Sequence, residues 1–160
     1  MIIVLHNIRS LHNVGSIFRT ADAAGVEKIY LCGITPGPYD IFDRPREQLT
    51  KVSLGAEKYV KWEHFKSTTK LTDKLKSDGY EILAIEQSKK AIPYYKLQTK
   101  NHKQKLALVV GNEIKGLSPA ILKRADKILE IPMRGKKESL NVAVAFGIVA
   151  FGLLEKKKAR

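Results

Sequence analysis

The alternation of short apolar segments with segments of helical periodicity constrains the fold of this chain most strongly. Strands are predicted at residues 1–6, 28–33, 58–65, 80–87, 106–111 and 127–133. Helices are predicted at residues 14–24, 68–77, 119–125 and 140–157. Strands that alternate with helices favour an α/β fold with a mainly parallel sheet flanked by helices.

The length and the composition predict one globular domain over residues 1–160. Hydrophobic residues make up 44% of the chain, which is enough for a core. The longest apolar run, residues 142–154, is shorter than the ~20 residues that span a bilayer, so no membrane partner is expected. A single cysteine, Cys32, excludes a disulfide framework, and no zinc-like spacing predicts a metal site. We therefore expect a cytoplasmic protein without a signal peptide.

The charge of the chain is strongly basic and unevenly distributed. Lys and Arg number 29 against 16 Asp and Glu, a formal net charge of +13 that favours a polyanionic partner. Between Gln87 and Asn112 there is no acidic residue, and Tyr94 and Tyr95 lie within this segment. Its lysines are Lys89, Lys90, Lys96, Lys100, Lys103 and Lys105. We interpret the segment as a track for RNA phosphates with tyrosines for base stacking, and the basic tail at residues 155–160 as a solvated surface.

Candidate site loops follow from the predicted sheet, because ligands of parallel sheets bind beyond the carboxyl ends of the strands. The first such motif is Asn13-x-Gly15-x-x-x-Arg19-x-Ala21. Asn13 is expected to cap the helix, and Gly15 permits close approach of another backbone. Arg19 lies six residues after Asn13 and points to a different side, toward a partner surface. A capped helix with one solvated arginine is the alternative.

The second motif is Gly111-Asn112-Glu113-x-x-Gly116, between a buried strand and a helix. Two glycines around a carboxylate suit a tight loop that faces a small ligand. The motif is neither a Walker loop nor a Rossmann fingerprint. An ordinary strand-to-helix turn is the alternative.

The third motif joins the last strand to the last helix. Ser139 is a candidate N-cap, and Asn141 is a polar residue at the start of an apolar helix. An amide in such a place needs a ligand, a loop or a carbonyl as partner. Capping of the helix by Ser139 with a local hydrogen bond from Asn141 is the alternative. Small residues such as Ala145 and Gly152 let another backbone approach, so the helix is either central or part of a dimer interface.

The three motifs together closely resemble the SpoU, or TrmH-like, branch of the SPOUT RNA methyltransferases over essentially the whole chain. The resemblance implies a deep C-terminal trefoil knot and a homodimer. It also implies transfer of a methyl group from S-adenosylmethionine to a ribose 2′-hydroxyl in tRNA or rRNA, with no DNA partner. We expect no appended RNA-binding domain, so that substrate choice would depend on the basic surface of the catalytic domain.

The resemblance also implies roles for individual residues. The catalytic set is Arg19, Asn13, Glu113, Ser139 and Asn141, none of which is substituted. The cofactor would be held by backbone groups of Ile85, Gly111, Ile131 and Leu140. Glu113 is expected to order the cofactor loop or the ribose rather than to bind a metal.

The role of the arginine leaves two hypotheses. The family's arginine is commonly assigned as the general base. Lowering the pKa of a guanidinium from its ordinary, strongly basic value to ~7 would require about 8 kcal/mol. Alternatively, Arg19 stays charged, holds a phosphate and stabilises the developing alkoxide, while the proton leaves to a phosphate oxygen or water.

Two other functions are compatible with the same fold. One is a non-catalytic RNA-binding or assembly protein, which cofactor binding would distinguish. The other is a base methyltransferase, which the first-motif arginine disfavours because methylation of a base creates no ribose alkoxide.

Overall fold

The computed structural model describes residues 1–98 and 104–158, so that Lys100 and Lys103 of the acid-free segment lie outside the described residues. The strands are β1 (Ile2–His6), β2 (Lys28–Cys32), β3 (Lys61–Phe65), β4 (Glu81–Ile85), β5 (Ile92–Pro93), β6 (Leu106–Val110) and β7 (Lys127–Glu130). The helices are α1 (Leu11–Ala23), α2 (Glu47–Ser53), α3 (Thr68–Ser77), α4 (Pro119–Leu122) and α5 (Val142–Lys158). Short 3₁₀ turns cover Ala56–Lys58 and Tyr94–Lys96.

The described strands form one seven-stranded sheet in the order β3-β2-β1-β6-β4-β7-β5. Every pairing in it is parallel, with Ile3 of β1 opposite Ile29 on one side and Leu108 on the other. The central strand β6 is buried along its whole length, which explains its continuous apolar sequence. The prediction of a mainly parallel α/β sheet is confirmed.

Helices cover both faces of this sheet. Ile3 and Leu5 of β1 point to the larger core, which includes residues of α1, α2 and α5. Ile2 and Val4 point to the smaller core on the opposite face, which includes residues of α3 and α4. The carboxyl ends of all strands therefore meet at one edge, between two layers of helices.

The start of α1 differs from the prediction. The helix begins at Leu11 and is capped by Ser10, whose hydroxyl accepts a hydrogen bond from the Asn13 amide N–H at 3.2 Å. The prediction that Asn13 is the cap is wrong, because Asn13 lies in the first turn and its side chain bonds to Glu113.

The start of α5 also differs from the prediction. The helix begins at Val142, and the Asn141 side-chain oxygen accepts from the Ala143 N–H at 2.9 Å. The Asn141 side chain thus accepts hydrogen bonds from backbone N–H groups of the first turn, which have no partner within the helix. The prediction of Ser139 as N-cap is wrong, because the chain becomes helical only after Asn141.

The pattern of the sequence did not predict α2 or β5, and α4 ends at Leu122 rather than at residue 125. Helix α2 packs closely on α1. A Cβ added to Gly15 would lie 2.5 Å from the Leu49 carbonyl oxygen, so only glycine fits there. The close approach expected at Gly15 is therefore made by α2.

Candidate active site

A cavity of about 330 Å³ opens at the carboxyl ends of β4, β6 and β7. Side chains from the first turns of α1 and α5 close it from the side. The residues around it are Asn13, Ile85, Glu86, Gln87, Val110, Gly111, Asn112, Glu113, Ile114, Gly116, Leu129, Glu130, Ile131, Met133, Ser139, Leu140, Asn141, Val142 and Ala145. The cavity lies where the topology of a parallel sheet places a ligand.

Three side chains from distant parts of the sequence meet at this cavity, and we call them the asparagine–glutamate hub: Asn13, Glu113 and Asn141. The Asn13 amide Nδ2 donates to Glu113 Oε1 at 3.2 Å. Asn13 Oδ1 accepts from Asn141 Nδ2 at 3.0 Å. The hub links the β6–α4 loop to the starts of α1 and α5, so the three sequence motifs form one hydrogen-bonded unit.

The Glu113 carboxylate also fixes the loop that precedes α1. It accepts hydrogen bonds from the N–H groups of Arg9 at 3.2 Å and Ser10 at 3.1 Å. Partial burial raises the pKa of Glu113, but hydrogen bonds from its own N–H, from Ser10, Arg9 and Asn13 outweigh it, so the pKa lies below its ordinary value. Glu113 therefore acts as an anionic acceptor for N–H groups.

The neighbouring Asn112 folds the rest of this loop. Its side-chain oxygen accepts from the N–H groups of Ile114 at 3.0 Å and Lys115 at 2.9 Å, while Nδ2 donates to the Asn7 carbonyl at 2.7 Å. A Cβ added to Gly111 would lie 2.6 Å from the Gly116 carbonyl carbon. The two glycines of the motif thus allow a closed loop rather than an extended turn.

Glu86 follows β4 directly, in the segment 85–88 beyond a predicted strand end where a ligand is expected, but the sequence predicted no role for this residue individually. Its Oε2 accepts from the Leu117 N–H at 2.8 Å, and its Oε1 accepts from the Gln87 N–H at 2.9 Å. Gly116, with φ +61°, leaves room for this carboxylate, because a Cβ there would lie 2.2 Å from Oε2. A carboxylate at the end of a buried strand was a usable signal.

The structure brings most of the predicted site residues to this cavity. Four of them, expected to hold a cofactor, line its wall: Ile85, Gly111, Ile131 and Leu140. Four more line it from the catalytic set: Asn13, Glu113, Ser139 and Asn141. Ser139 is exposed, and its side chain makes no hydrogen bond with any described residue.

Arg19 does not lie at the cavity. It is exposed on the outer side of α1, whereas Asn13 is buried against the cavity, which agrees with the different directions expected from their spacing. Within the described part of the chain, Arg19 makes no hydrogen bond and no ion pair. It is therefore available to a ligand or to another surface.

The two tyrosines of the basic segment have different surroundings. Tyr94 is half-buried against α5, where a Cβ added to Gly152 would lie 2.5 Å from its ring. Tyr95 is 48% exposed and meets the Tyr94 ring edge-on, at 5.5 Å between centroids. Tyr94 therefore packs against α5 on part of its ring, and Tyr95 is the more exposed of the two tyrosines; base stacking by them stays a prediction.

Among residues 1–98 and 104–158, no group of three His, Cys, Asp or Glu side chains could hold a metal ion. No helix in this part of the chain is long and apolar enough to cross a bilayer.

The fold and the cavity define an α/β protein that binds a ligand at the carboxyl edge of a parallel sheet. A model of the SpoU rRNA Methylase family matches residues 1–151, and the chain belongs to this family.

Individual relatives agree with this assignment. The tRNA (guanosine(18)-2′-O)-methyltransferase of Aquifex aeolicus is 32% identical over 151 residues, which cover 94% of this chain and 67% of that protein. The AdoMet-bound rRNA methyltransferase of Sinorhizobium meliloti has a TM-score of 0.82 and 27% identity, covering 94% of this chain and 54% of that one. A solved structure, reported as giving structural insights into the 2-OH methylation of C/U34 on tRNA, has a TM-score of 0.79 and 25% identity. The match covers 99% of this chain and 97% of that one. The chain spans about two thirds of the length of the curated guanosine(18) methyltransferases it matches.

Proposed function

We propose that this chain transfers a methyl group from S-adenosylmethionine to the ribose 2′-hydroxyl of an RNA nucleotide. The observation that carries the proposal is the asparagine–glutamate hub, which joins all three motifs at the rim of one cavity. Membership of the SpoU family and the AdoMet-bound relative support the same reaction. Residues 1–160 act as one catalytic domain in the cytoplasm.

The cavity suits this cofactor in size and in chemistry. Its volume of about 330 Å³ falls within the range of roughly 300–1,000 Å³ that is usual for small-molecule sites. Ile85, Ile131 and Leu140 supply apolar walls for an adenine ring, and backbone groups of these residues and Gly111 would hold its polar edge. When bound, the cofactor supplies a methyl group on a positively charged sulfur.

The residues of the chain then have separate tasks. The hub holds the starts of α1 and α5 against the cavity, so that the reacting groups meet in a fixed geometry. Arg19 binds the phosphate next to the target ribose and stabilises the negative charge that develops on its 2′-oxygen. The proton of the hydroxyl leaves to a phosphate oxygen or to water, and no metal ion takes part.

A homodimer is part of the proposal. Three exposed apolar side chains lie in one stripe along α5: Val144, Ile148 and Phe151. Helix α5 packs beside α1, with Gly147 next to Thr20, which follows Arg19 in the sequence. A second copy that covers the stripe would bring Arg19 to the boundary between the subunits.

Ile148→Asp should yield monomers in sedimentation, whereas Phe42→Asp, which changes an exposed side chain elsewhere, should leave dimers.

The trefoil knot is supported by the path of the chain. After β4 the chain runs out to the edge strand β5 and returns to the centre as β6. Strand β7 then lies between β4 and β5, and Gly152 of α5 packs against Tyr94, which follows β5. This arrangement supports a C-terminal segment that passes through an earlier loop.

The substrate class we favour is tRNA. The Aquifex aeolicus relative is named for guanosine 18, while the solved relative of matching length is reported for C/U34. These two positions are the first to test. Ribosomal RNA is the second candidate, since the Sinorhizobium meliloti relative is named an rRNA methyltransferase.

The reaction is tested by incubating the protein with S-adenosylmethionine and unmodified tRNA or rRNA in separate reactions. Digested RNA is analysed for nucleosides by mass spectrometry. A 2′-O-methylated nucleoside, retained in EDTA and lost in Arg19→Ala, is the expected product. A methylated base would overturn the ribose assignment. Absence of cofactor binding in calorimetry would favour a non-catalytic RNA-binding protein.

A further inference from the structure

The cavity carries a charge opposite to that of the rest of the chain. Its lining contains three carboxylates, Glu86, Glu113 and Glu130, and no Lys, Arg or His among the described residues. The formal net charge of the whole chain is +13. The site is therefore a locally negative pocket in a strongly basic protein.

No cation among the described residues pairs with these carboxylates, so their field in the cavity is not cancelled by an ion pair. Glu86 accepts only from the N–H groups of Leu117 and Gln87, and Glu113 accepts from N–H groups and from the Asn13 amide. Neutral donors orient a carboxylate without cancelling its field.

A charge bound in the cavity is exposed to this field, because the three carboxylates line the same space. At 0.1 M salt the interaction of two charges is largely screened only beyond one Debye length, about 10 Å. Within such a distance, two charges near a protein surface interact strongly enough to change an affinity about tenfold.

We propose that Glu86 is a specificity-determining residue, whose carboxylate makes the cavity prefer positively charged S-adenosylmethionine over S-adenosylhomocysteine, which has a neutral sulfur. The inference rests on the proposed function. Transfer of the methyl group removes the positive charge from the sulfur, so the interaction that favours the substrate is lost in the product. Glu86 thereby favours release of the spent cofactor.

The test is calorimetric binding of three ligands to the full chain: S-adenosylmethionine, S-adenosylhomocysteine and sinefungin, in which a protonated amine replaces the methylated sulfur. Glu86→Gln retains an oxygen that can accept from the Leu117 N–H but removes the charge. We expect it to weaken the two cationic ligands about tenfold and S-adenosylhomocysteine less than twofold. Glu47→Gln removes an exposed charge on α2, outside the cavity, and should change none of the three.

The outcomes separate this inference from the proposed function. An equal loss for all three ligands would show that Glu86 only shapes the loop, and would overturn the inference. So would unchanged affinities, or a wild-type chain that binds both cofactor forms equally at low and high salt. A preference that shrinks in 0.5 M salt would support it. Failure of the wild type to bind any of the ligands would overturn the proposed function as well.

Discussion

The two ends of the first motif, only six residues apart, lie in opposite kinds of environment. Asn13 is buried and bonded to both Glu113 and Asn141. Arg19 is exposed and bonded to no described residue. One helix thus carries a preorganised group on one side and an available cation on another.

Under the proposed function, a small chain divides a reaction between two surfaces. The asparagine–glutamate hub is complete within one chain, because its polar groups bond to each other and to backbone N–H groups. Arg19 is left for the RNA or the second copy that the proposal requires. We expect changes on the first side to affect stability and cofactor affinity, and changes on the second to affect the methyl-transfer rate.

The largest effect is expected at Arg19. Arg19→Ala should lower the rate of methyl transfer about 10²–10³-fold, because it removes charge stabilisation at the developing alkoxide. Affinity for S-adenosylmethionine should stay within about twofold of wild type, since Arg19 does not line the cavity. Single-turnover kinetics and calorimetry measure the two quantities. The control is Arg124→Ala, which breaks an ion pair with Asp73.

An Arg19 variant that loses cofactor affinity together with the rate of methyl transfer would show that the cavity and the side with Arg19 do not act separately.

Arg19→Lys distinguishes the two hypotheses for the role of the arginine. If this variant is active with a rate–pH profile that follows the pKa of an amine, the base hypothesis is favoured over a charged arginine.

The hub should give the next largest effect. Asn13→Ala removes two hydrogen bonds and leaves Glu113 and Asn141 without this partner, so we expect a loss of about 1–3 kcal/mol in the free energy of unfolding. A double-mutant cycle with Asn141→Ala, followed by urea denaturation, should give a coupling of about 1 kcal/mol. Ser16→Ala on the same helix is the control. Additive losses would mean that the two amides act independently.

Two serines test the corrected helix starts. Ser10→Ala should cost about 1 kcal/mol, because its hydroxyl caps α1. Ser139→Ala should change the free energy of unfolding by less than about 0.5 kcal/mol, since its side chain is exposed and makes no hydrogen bond with a described residue. Thermal denaturation of both variants measures the difference, and a reversed order would restore Ser139 as a cap.

The smallest effect concerns pH. The pKa of Glu113 is lowered in the folded chain, so its contribution to stability is complete above the unfolded pKa of about 4.3. It is lost as the pH falls through the folded pKa. After allowance for solvent screening, the contribution should stay under about 1 kcal/mol.

Urea denaturation of wild type and Glu113→Gln at a series of pH values measures this contribution. The difference between them should be constant from pH 8 to pH 5 and should shrink below about pH 4. Glu155→Gln, which changes an exposed residue of α5, is the control. A difference that grows toward acid pH would contradict the anionic role of Glu113.

The fold was largely predictable from the sequence, because the long apolar segments of a small domain can be buried only in its core. The short elements were not. Helix α2 exists because Leu49 is buried and the α2 backbone packs against Gly15 of α1, and β5 consists of two residues paired with β7. Such elements are held by tertiary contacts rather than by their own periodicity.

The candidate site was predictable in part, and for a different reason. Its residues could be assigned because the three motifs together resemble a known family. The spacing of residues alone left each motif with a purely structural explanation as the alternative. Glu86 belonged to none of the motifs and was given no individual role. The caps were misassigned because local patterns cannot reveal that Asn13 bonds to a residue 100 positions away.

The sequence by itself determined the alternation of strands and helices, the basic charge and the three polar motifs, since these follow from local composition and periodicity. The tertiary structure decided which polar groups meet. Asn13 and Asn141 are 128 positions apart and come within 3.0 Å because the sheet order gathers the loops after β1, β6 and β7 at one edge. Hydrogen bonds act only over a few ångströms, so the hub depends on that order of strands.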